Sequence, residues 1–173
     1  MSPRWILRTA RLLLTPVNGG DLSDLVAIKA DPRVFAVMLG GVRGLPETQQ
    51  ELARDVRAWG ENGFGIWSVR EGRRFVGLTG LEPRPDGRGI ALRFALWPEA
   101  QGRGLAREAA AAALHFGHDD AGLHRIVAVA RASNFASRMV LGGIGMTERG
   151  SFVQAGWEMV MYESAKALTT KRG

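Results

Sequence analysis

The stretch from Leu92 to Phe116 (LRFALWPEAQGRGLAREAAAAALHF) most constrains the fold, because it changes from strand to helix across one short loop. Apolar and polar residues alternate up to Trp97, which is typical of a strand, and Pro98 prevents the strand from continuing. After the loop, apolar residues recur at helical spacing, and the alanine run has a high helix propensity. The stretch therefore predicts a strand that leads directly into a helix.

The loop itself, residues 101–106 (QGRGLA), lacks the residues that normally begin a helix. Ser, Thr, Asp and Asn cap the free N–H groups of a helix start, and none of them lies between Pro98 and Ala106. Instead the loop contains Gly102 and Gly104, and glycine lets another group approach the backbone closely. Because free N–H groups at a helix start attract anions, we interpret the loop as a phosphate site. The alternative is a tight glycine turn without a ligand.

Two common phosphate-binding motifs do not fit this loop. The chain has no Gly-Lys-Ser/Thr run, which excludes the P-loop of nucleotide triphosphatases. The glycines read G-x-G-x-x-R rather than G-x-G-x-x-G, which argues against a dinucleotide-binding fold.

Length and charge narrow the class of protein further. The 173 residues suit a single domain over 1–173, with its folded core at about 8–162. The net charge of +6 is carried by 20 arginines and three lysines, and it favours acidic ligands. The arginines are scattered along the chain, so a nucleic-acid-binding module is the weaker alternative.

Several classes of site are disfavoured by composition. The chain has no cysteine, which excludes disulfides, thiolate metal sites and covalent cysteine catalysis. His115, His118 and His124 lie near one helix end, where polar residues are usually solvated, so no metal site is predicted. Because no apolar run resembles a signal peptide or a membrane span, we expect a cytoplasmic protein without a membrane partner.

The N-terminal third predicts one strand and three helices. The strand is expected at residues 8–15. Asp21 is expected to cap the first helix, and Asp31-Pro32 to end it and begin the second. The third helix is expected to begin at Thr48, which has capping-box spacing to Glu51. The predicted apolar stripes are Leu22, Leu25 and Val26 on the first helix and Leu52, Val56 and Trp59 on the third.

The remainder alternates between strands and helices. Strands are expected at residues 64–70, 73–81, 89–97, 125–130, 147–153 and 157–162, with a hairpin turn at Glu71-Gly72, a break of the central helix at residues 117–122, a short helix at 134–142 and fraying from Ser164. This order predicts an α+β fold with one mixed, mostly antiparallel sheet flanked by helices. The central helix should join two adjacent parallel strands through a right-handed crossover.

Two motifs resemble those of a known family. Gln101, Gly104 and Ala106 fill the Gln/Arg-x-x-Gly-x-Gly/Ala signature of the GNAT superfamily of N-acetyltransferases, whose loop amides hold the pyrophosphate of acetyl-coenzyme A. Asn134 and Ser137, followed by a Gly-Met pair, resemble the family's Asn-x-x-Ser segment and later Gly-Phe. The segments RTARLLLTPV, ADPRVF, VGLTGLEP and PEAQGRGLAREA resemble the branch of ribosomal-protein alanine and serine N-terminal acetyltransferases (RimJ/RimL-like).

The resemblance implies acetyl-CoA as co-substrate and a GNAT-like central strand–loop–helix acyl-CoA site. Strand backbone would pair with the pantetheine arm where two strands splay apart, loop amides would hold the pyrophosphate, and the Arg103 side chain would add charge. Asn134 would contact the pantetheine arm and also cap its helix. The cofactor-binding residues implied are Phe94, Ala95, Leu96, Trp97, Gln101, Gly102, Arg103, Gly104, Leu105, Ala106, Asn134 and Ser137.

The proton-transfer residues of the family are where this chain departs most. Ala91 stands where many members carry a glutamate base, and Leu141 where many carry a tyrosine acid. Ser137 and Glu82 are the catalytic candidates, and Tyr162 is interpreted as a packing residue. The other carboxylates considered as bases are Glu99 and Glu158.

The expected reaction is direct attack of a neutral primary amine on the thioester. An α-amino group has a pKa of about 8 and a lysine about 10.4, so far more of the former is neutral at pH 7. This favours peptide N-termini or small amines as acceptors. A non-catalytic acyl-CoA sensor is the main alternative, and a homodimer is possible.

Overall fold

Residues 1–166 are described by the structure, a computed structural model of the chain. Over these residues eight strands form one sheet: β1 (Leu7–Arg8), β2 (Leu13–Pro16), β3 (Ile66–Glu71), β4 (Arg74–Pro83), β5 (Ile90–Leu96), β6 (Arg125–Arg131), β7 (Thr147–Gln154) and β8 (Trp157–Ala165). Their spatial order is β1-β2-β3-β4-β5-β6-β8-β7. Neighbouring strands are antiparallel except β5 and β6, which are parallel. The predicted α+β fold and the adjacent parallel pair are confirmed.

In the described part of the chain, five α-helices accompany the sheet: α1 (Leu22–Ala30), α2 (Pro32–Phe35), α3 (Leu45–Asn62), α4 (Leu105–Asp119) and α5 (Phe135–Gly143). Successive strand residues point to opposite faces, so β3 contributes Trp67 to one apolar core and Ile66 to another. The first core includes the buried face of α4 around Ala109. The second core includes Ile28 of α1 and Phe35 of α2. The sheet is therefore covered on both faces, and the strand–loop–helix unit lies at its centre.

The predicted first strand at residues 8–15 is wrong, because the segment forms a hairpin. Strands β1 and β2 pair antiparallel, with Leu7 opposite Leu14. The Thr9 hydroxyl accepts a hydrogen bond from the Leu12 N–H at 3.0 Å, and the Thr9 N–H donates to the Leu12 carbonyl at 2.9 Å. A side chain that bonds to nearby backbone in this way stabilises a turn in place of an extended strand.

The predicted caps of two helices also differ from the structure. Helix α3 begins at Leu45 rather than Thr48, because the Gly44 N–H donates to the Glu47 carboxylate and Pro46 occupies the first turn. The Asp21 carboxylate does not cap α1. It accepts from the Asn18 N–H at 3.0 Å and pairs with Arg70 at 2.8 Å.

The predicted apolar stripes are partly right. Leu25 is buried on α1, and Leu52 and Trp59 are buried on α3. Val56 was expected beside them, but it is 44% exposed. Val56 lies about 100° around the helix axis from Asp55, and the Asp55 side chain is buried in its stead.

The C-terminal half follows the predicted order with longer elements. The hairpin between β3 and β4 is confirmed, although its turn is at Gly72 and Arg73 rather than Glu71-Gly72, and the short helix after Asn134 is confirmed. The predicted break of the central helix does not begin at Gly117. Helix α4 continues through this buried residue to Asp119. Strand β8 continues to Ala165 because it pairs with β6 there, so fraying does not begin at Ser164. The expected fraying after Lys166 falls outside the described residues.

Within residues 1–166, none of the helices combines the length and apolar character that a bilayer crossing requires.

Candidate active site

The sheet opens between β5 and β6. Their register is limited to one pair, Ala91 opposite Val127, among the described residues. On its other edge β5 pairs with β4 along its whole length. The Trp97 N–H donates to the Val76 carbonyl of β4 at 2.9 Å. Because amide directions alternate along a strand, the N–H groups of Phe94 and Leu96 are directed toward the opening, and those of Ala95 face β4.

The loop before α4 lies at the end of this opening. Gly102 (φ 76°) and Gly104 (φ 78°) both adopt the left-handed conformation, which side chains rarely tolerate. The start of α4 has no capping side chain at Gly104. The Gln101 side-chain amide donates to the Leu96 carbonyl at 3.2 Å and so ties the loop to β5. The free N–H groups of the first turn, beginning at Leu105 and Ala106, remain available to an anion.

Arg103 does not extend freely toward a ligand. Its guanidinium forms two hydrogen bonds with the Glu71 carboxylate, at 3.0 and 2.6 Å. Hydrogen bonding from Arg103 lowers the pKa of Glu71, so the carboxylate stays charged at neutral pH. The charge that the Arg103 side chain was expected to add at the loop is therefore shared with an acidic partner.

Arg11 is a residue of this site that sequence reasoning missed. Its Nη1 donates to the Arg103 carbonyl at 2.7 Å, and its Nε pairs with the Glu108 carboxylate at 3.0 Å. Glu108 also accepts from the Thr9 hydroxyl at 2.5 Å. We call this group of Thr9, Arg11 and Glu108 the loop clamp. It fixes the loop to the first turns of α4 through a contact between distant segments, which no local pattern indicates.

The loop clamp also affects the protonation of Glu108. Burial alone would raise the pKa of this carboxyl, but hydrogen bonds from Thr9 and Arg11 outweigh it and lower the pKa. Glu108 is therefore ionised at neutral pH, and the clamp is intact there.

A cavity of about 600 Å³ adjoins the opening and is lined by α3, β4, β5, β6 and α5. It brings together four predicted site residues, Glu82, Phe94, Asn134 and Ser137. Ala91 and Leu141, where the family's base and acid were expected, line it as well. Four other predicted residues have side chains elsewhere: Leu96 and Leu105 are buried in the first core, Ala95 is buried in the second, and Trp97 packs against the second.

The two catalytic candidates differ in how firmly neighbouring residues hold their side chains. Glu82 forms an ion pair with Arg93 of β5. Desolvation would lower the pKa of Arg93, but the attraction of Glu82 outweighs it and the pKa is raised. Ser137 is half-buried, and its backbone N–H donates to the Asn134 side chain at 3.3 Å, which caps α5. Glu82 is therefore an anchored carboxylate, whereas Ser137 lines the cavity from α5.

The remaining candidates are peripheral. Tyr162 is buried, and its hydroxyl accepts a hydrogen bond from Arg138 at 3.1 Å, as expected for a packing residue. Glu99 pairs with Arg33 at 3.4 Å. Glu158 is exposed on β8.

Asp55 of α3 is a second residue that sequence reasoning missed. It lines the cavity and is only 7% exposed. Burial raises the pKa of its carboxyl; nearby Lys29 opposes this effect and Glu82 adds to it. A signal was present in the sequence, since Asp55 follows Leu52 and precedes Trp59 at the spacing of the buried stripe.

The fold and the open, phosphate-compatible loop define an acyl-CoA-binding transferase. A profile of the acetyltransferase (GNAT) domain matches residues 11–147. The chain belongs to the GNAT family of acetyltransferases, which use acetyl-CoA. The FsC-acetyl coenzyme A-N(2)-transacetylase of Aspergillus fumigatus is 29% identical over 160 residues, which cover 84% of this chain and 66% of that protein. This chain thus spans slightly less than two thirds of that relative's length.

Solved structures share the architecture. An acetyltransferase from Agrobacterium tumefaciens superposes with a TM-score of 0.81 at 27% identity, covering 93% of this chain and 94% of the other. RimL, a ribosomal L7/L12 α-N-protein acetyltransferase solved with coenzyme A, superposes with a TM-score of 0.76 at 18% identity, covering 92% and 97%. At that identity the likeness to RimL concerns the fold alone. The RimJ/RimL-like branch stays a prediction.

Proposed function

We propose that the protein transfers the acetyl group of acetyl-CoA to a primary amine, either a peptide or protein N-terminus or a small-molecule amine. The observation that carries the proposal is the continuity of the site. The opening between β5 and β6 borders the 600 Å³ cavity at Phe94, and β5 leads on from there to the uncapped start of α4. A phosphate-bearing thioester and an amine would thus meet in one space.

The proposed cofactor contacts follow the geometry of the loop and the opening. The N–H groups of residues 103–106 would bind the pyrophosphate, because they surround a helix start without a capping side chain. The pantetheine arm would pair with the amides of Phe94 and Leu96. Asn134, which caps α5, and Ser137 of α5 line the same cavity as Phe94 and would contact the same arm.

The proposed reaction needs little covalent help from the protein. The neutral amine attacks the thioester carbonyl carbon, a C–N bond forms, and the C–S bond breaks to release the thiolate. Positioning contributes much of the acceleration, and a β5 amide directed into the opening would stabilise the developing oxyanion. Ser137 would pass the proton lost by the acylated nitrogen to the thiolate, and Glu82 would orient a water near the amine.

A non-catalytic acyl-CoA sensor is the second candidate function. The observation in its favour is that Ala91 and Leu141 line the cavity where many family members carry acid–base side chains. Turnover separates the two: a sensor binds acetyl-CoA and releases no coenzyme A when amines are added.

The decisive experiment measures coenzyme A release against peptide N-termini, polyamines and aminoglycosides, together with the thermal shift produced by acetyl-CoA, NAD and ATP. We expect acetyl-CoA to stabilise the protein much more than the other two ligands. Equal shifts for all three ligands would contradict the acyl-donor role. Binding without turnover would favour the sensor.

Glu82 and Ser137 are tested by Glu82→Gln and Ser137→Ala. We expect each variant to lose about tenfold or less in rate, below the usual range for a dedicated acid–base group. Steady-state kinetics at saturating acetyl-CoA would measure this. A thousandfold loss at either position, with cofactor affinity unchanged, would identify a conventional catalytic group there.

We also propose that the protein forms a homodimer through the β7 edge. Strand β7 pairs with β8 on one side and ends the sheet on the other. The hairpin of β7 and β8 exposes Val153 of β7 (75%) and Trp157 of β8 (48%). Sedimentation velocity of the wild type and of Val153→Asp would show whether this edge associates.

A further inference from the structure

Asp55 is a buried carboxylate in the wall of the cavity, and the roles proposed above do not use it. Its side chain is 10% exposed, and its closest ion-pair partner is the Arg54 Nε at 3.6 Å, beyond hydrogen-bonding distance. Within residues 1–166, no hydrogen bond to the Asp55 carboxylate is formed. A nearly buried carboxylate without a hydrogen bond to the protein is costly, and its oxygens are open to the cavity, where a ligand can reach them.

The charged groups around Asp55 are paired with one another instead. Lys29 of α1 contacts the Glu51 carboxylate at 2.6 Å, and Arg43 contacts its other oxygen at 2.9 Å. On the side formed by the sheet, Glu82 of β4 forms an ion pair with Arg93 of β5. The neighbouring charged side chains are thus paired, whereas the lone pairs of the Asp55 carboxylate are not used in hydrogen bonds within the described residues.

We propose that the Asp55 carboxylate binds the ammonium group of the acceptor and then accepts the proton that this group must lose before it attacks. This inference rests on the proposed function and assigns its acceptor site. The ammonium ion and the carboxylate become a neutral amine and a carboxylic acid. The amine then forms the C–N bond, and the C–S bond breaks. The second amine proton goes to the thiolate, and Asp55 releases its proton to solvent through the cavity mouth.

The charges that face Asp55 suit this role. Lys29 from α1, Arg54 from α3 and Arg93 from β5 favour its ionised form, whereas Glu51 from α3 and Glu82 from β4 disfavour it. Burial raises the pKa of Asp55 above that of an ordinary carboxyl, which brings it closer to neutral pH. A base with such a pKa receives a proton more readily than a solvated aspartate.

The first arm of the test measures binding and needs no turnover. The probe is n-butylammonium, compared with the uncharged n-butanol, titrated into coenzyme A-saturated protein and followed by protein NMR. The wild type should bind the ammonium ion at least tenfold more tightly than the alcohol, and Asp55→Asn should remove that preference. The control is Asp120→Asn, an exposed aspartate outside the cavity, which should retain it. An unchanged preference in Asp55→Asn, or none in the wild type, would overturn the proposal.

The second arm measures acetylation of whichever amine of the panel the wild type accepts. Asp55→Asn should lower kcat/KM for the amine about 100-fold or more, with the thermal shift by acetyl-CoA unchanged. It should also replace the acid limb set by Asp55 with a limb that follows the pKa of the free amine, and Asp55→Glu should recover part of the rate. Activity of Asp55→Asn within threefold of wild type would refute the proton-accepting role. If wild-type protein neither binds acetyl-CoA nor acetylates an amine, the proposed function fails, and the butylammonium titration still decides whether Asp55 is a cation site.

Discussion

At the scale of single residues, the cofactor loop depends on backbone conformations that only glycine adopts easily. Gly104 has φ 78° at the position where α4 begins, and a Cβ there would lie 3.4 Å from the Arg11 guanidinium. A side chain would therefore strain the backbone and crowd the face that the proposed pyrophosphate occupies.

We expect Gly104→Val to abolish most acetyl-CoA binding while the protein stays folded. Isothermal titration and circular dichroism would measure the two properties. Gly122→Val is the matched control, since Gly122 has φ 70° with open space around it and lies between α4 and β6, away from the loop. Both variants carry a similar backbone strain of about 1–2 kcal/mol, but only Gly104→Val should lose affinity. Equal affinities would mean that the loop does not hold the cofactor.

Asp55 allows a second prediction at this scale, through the pH dependence of stability. Because its pKa is raised in the folded state, its contribution to stability is fully present below the ordinary carboxyl pKa. That contribution is lost as the pH rises through the raised value. Asp55→Asn should therefore be more stable than the wild type at pH 7, and the difference should shrink toward pH 4.

Thermal unfolding of both proteins across pH 4–8, without ligand, would measure this difference. Asp120→Asn should track the wild type at every pH, because Asp120 is exposed. A difference between Asp55→Asn and wild type that grows on acidification would contradict the assigned direction of the pKa.

At the scale of elements, the loop clamp joins a hairpin near the N-terminus to the central helix. Arg11 contacts both the Arg103 carbonyl and the Glu108 carboxylate, and these residues are more than 90 positions away along the chain. The loop is therefore held by an element that does not itself face the opening.

Arg11→Ala should weaken acetyl-CoA binding by about tenfold, because a lost hydrogen bond to a charged group corresponds to about 1.5–3 kcal/mol and part of it is recovered by solvent. Arg8→Ala, on the neighbouring strand β1, is the control and should bind normally. Isothermal titration would measure both.

Since the pKa of Glu108 is lowered, the clamp is present above the ordinary glutamate pKa and is lost as the pH falls through the lowered value. The affinities of the two variants should therefore converge in acid.

Local patterns were sufficient for most elements, because periods of 2 and 3.6 record which side of a strand or helix is buried. They placed α4 and β5, and the uncapped loop between them, from residues 92–116 alone. They failed where side chains act at a distance. The Thr48–Glu51 pair has capping-box spacing, yet Glu47 caps α3. The loop clamp and the burial of Asp55 depend on packing between segments, which a single stretch of sequence does not record.

At the scale of the whole molecule, the sheet is continuous from β1 to β7 except where β5 and β6 diverge. That interruption leaves backbone donors without a partner strand, and it has a consequence for hydrogen exchange. Amides paired within a sheet exchange slowly, whereas amides exposed in a gap exchange quickly.

In the ligand-free protein, the amides of Phe94 and Leu96 should therefore exchange with solvent deuterium much faster than the Ala95 amide between them, which faces β4. Acetyl-CoA should slow the outer two and leave the middle one unchanged. Residue-resolved NMR exchange would read out this alternation, and uniform protection along β5 would contradict it. Within the single strand β5, the slow amide would thus report pairing in the sheet, and the two fast amides would report whether the substrate is bound.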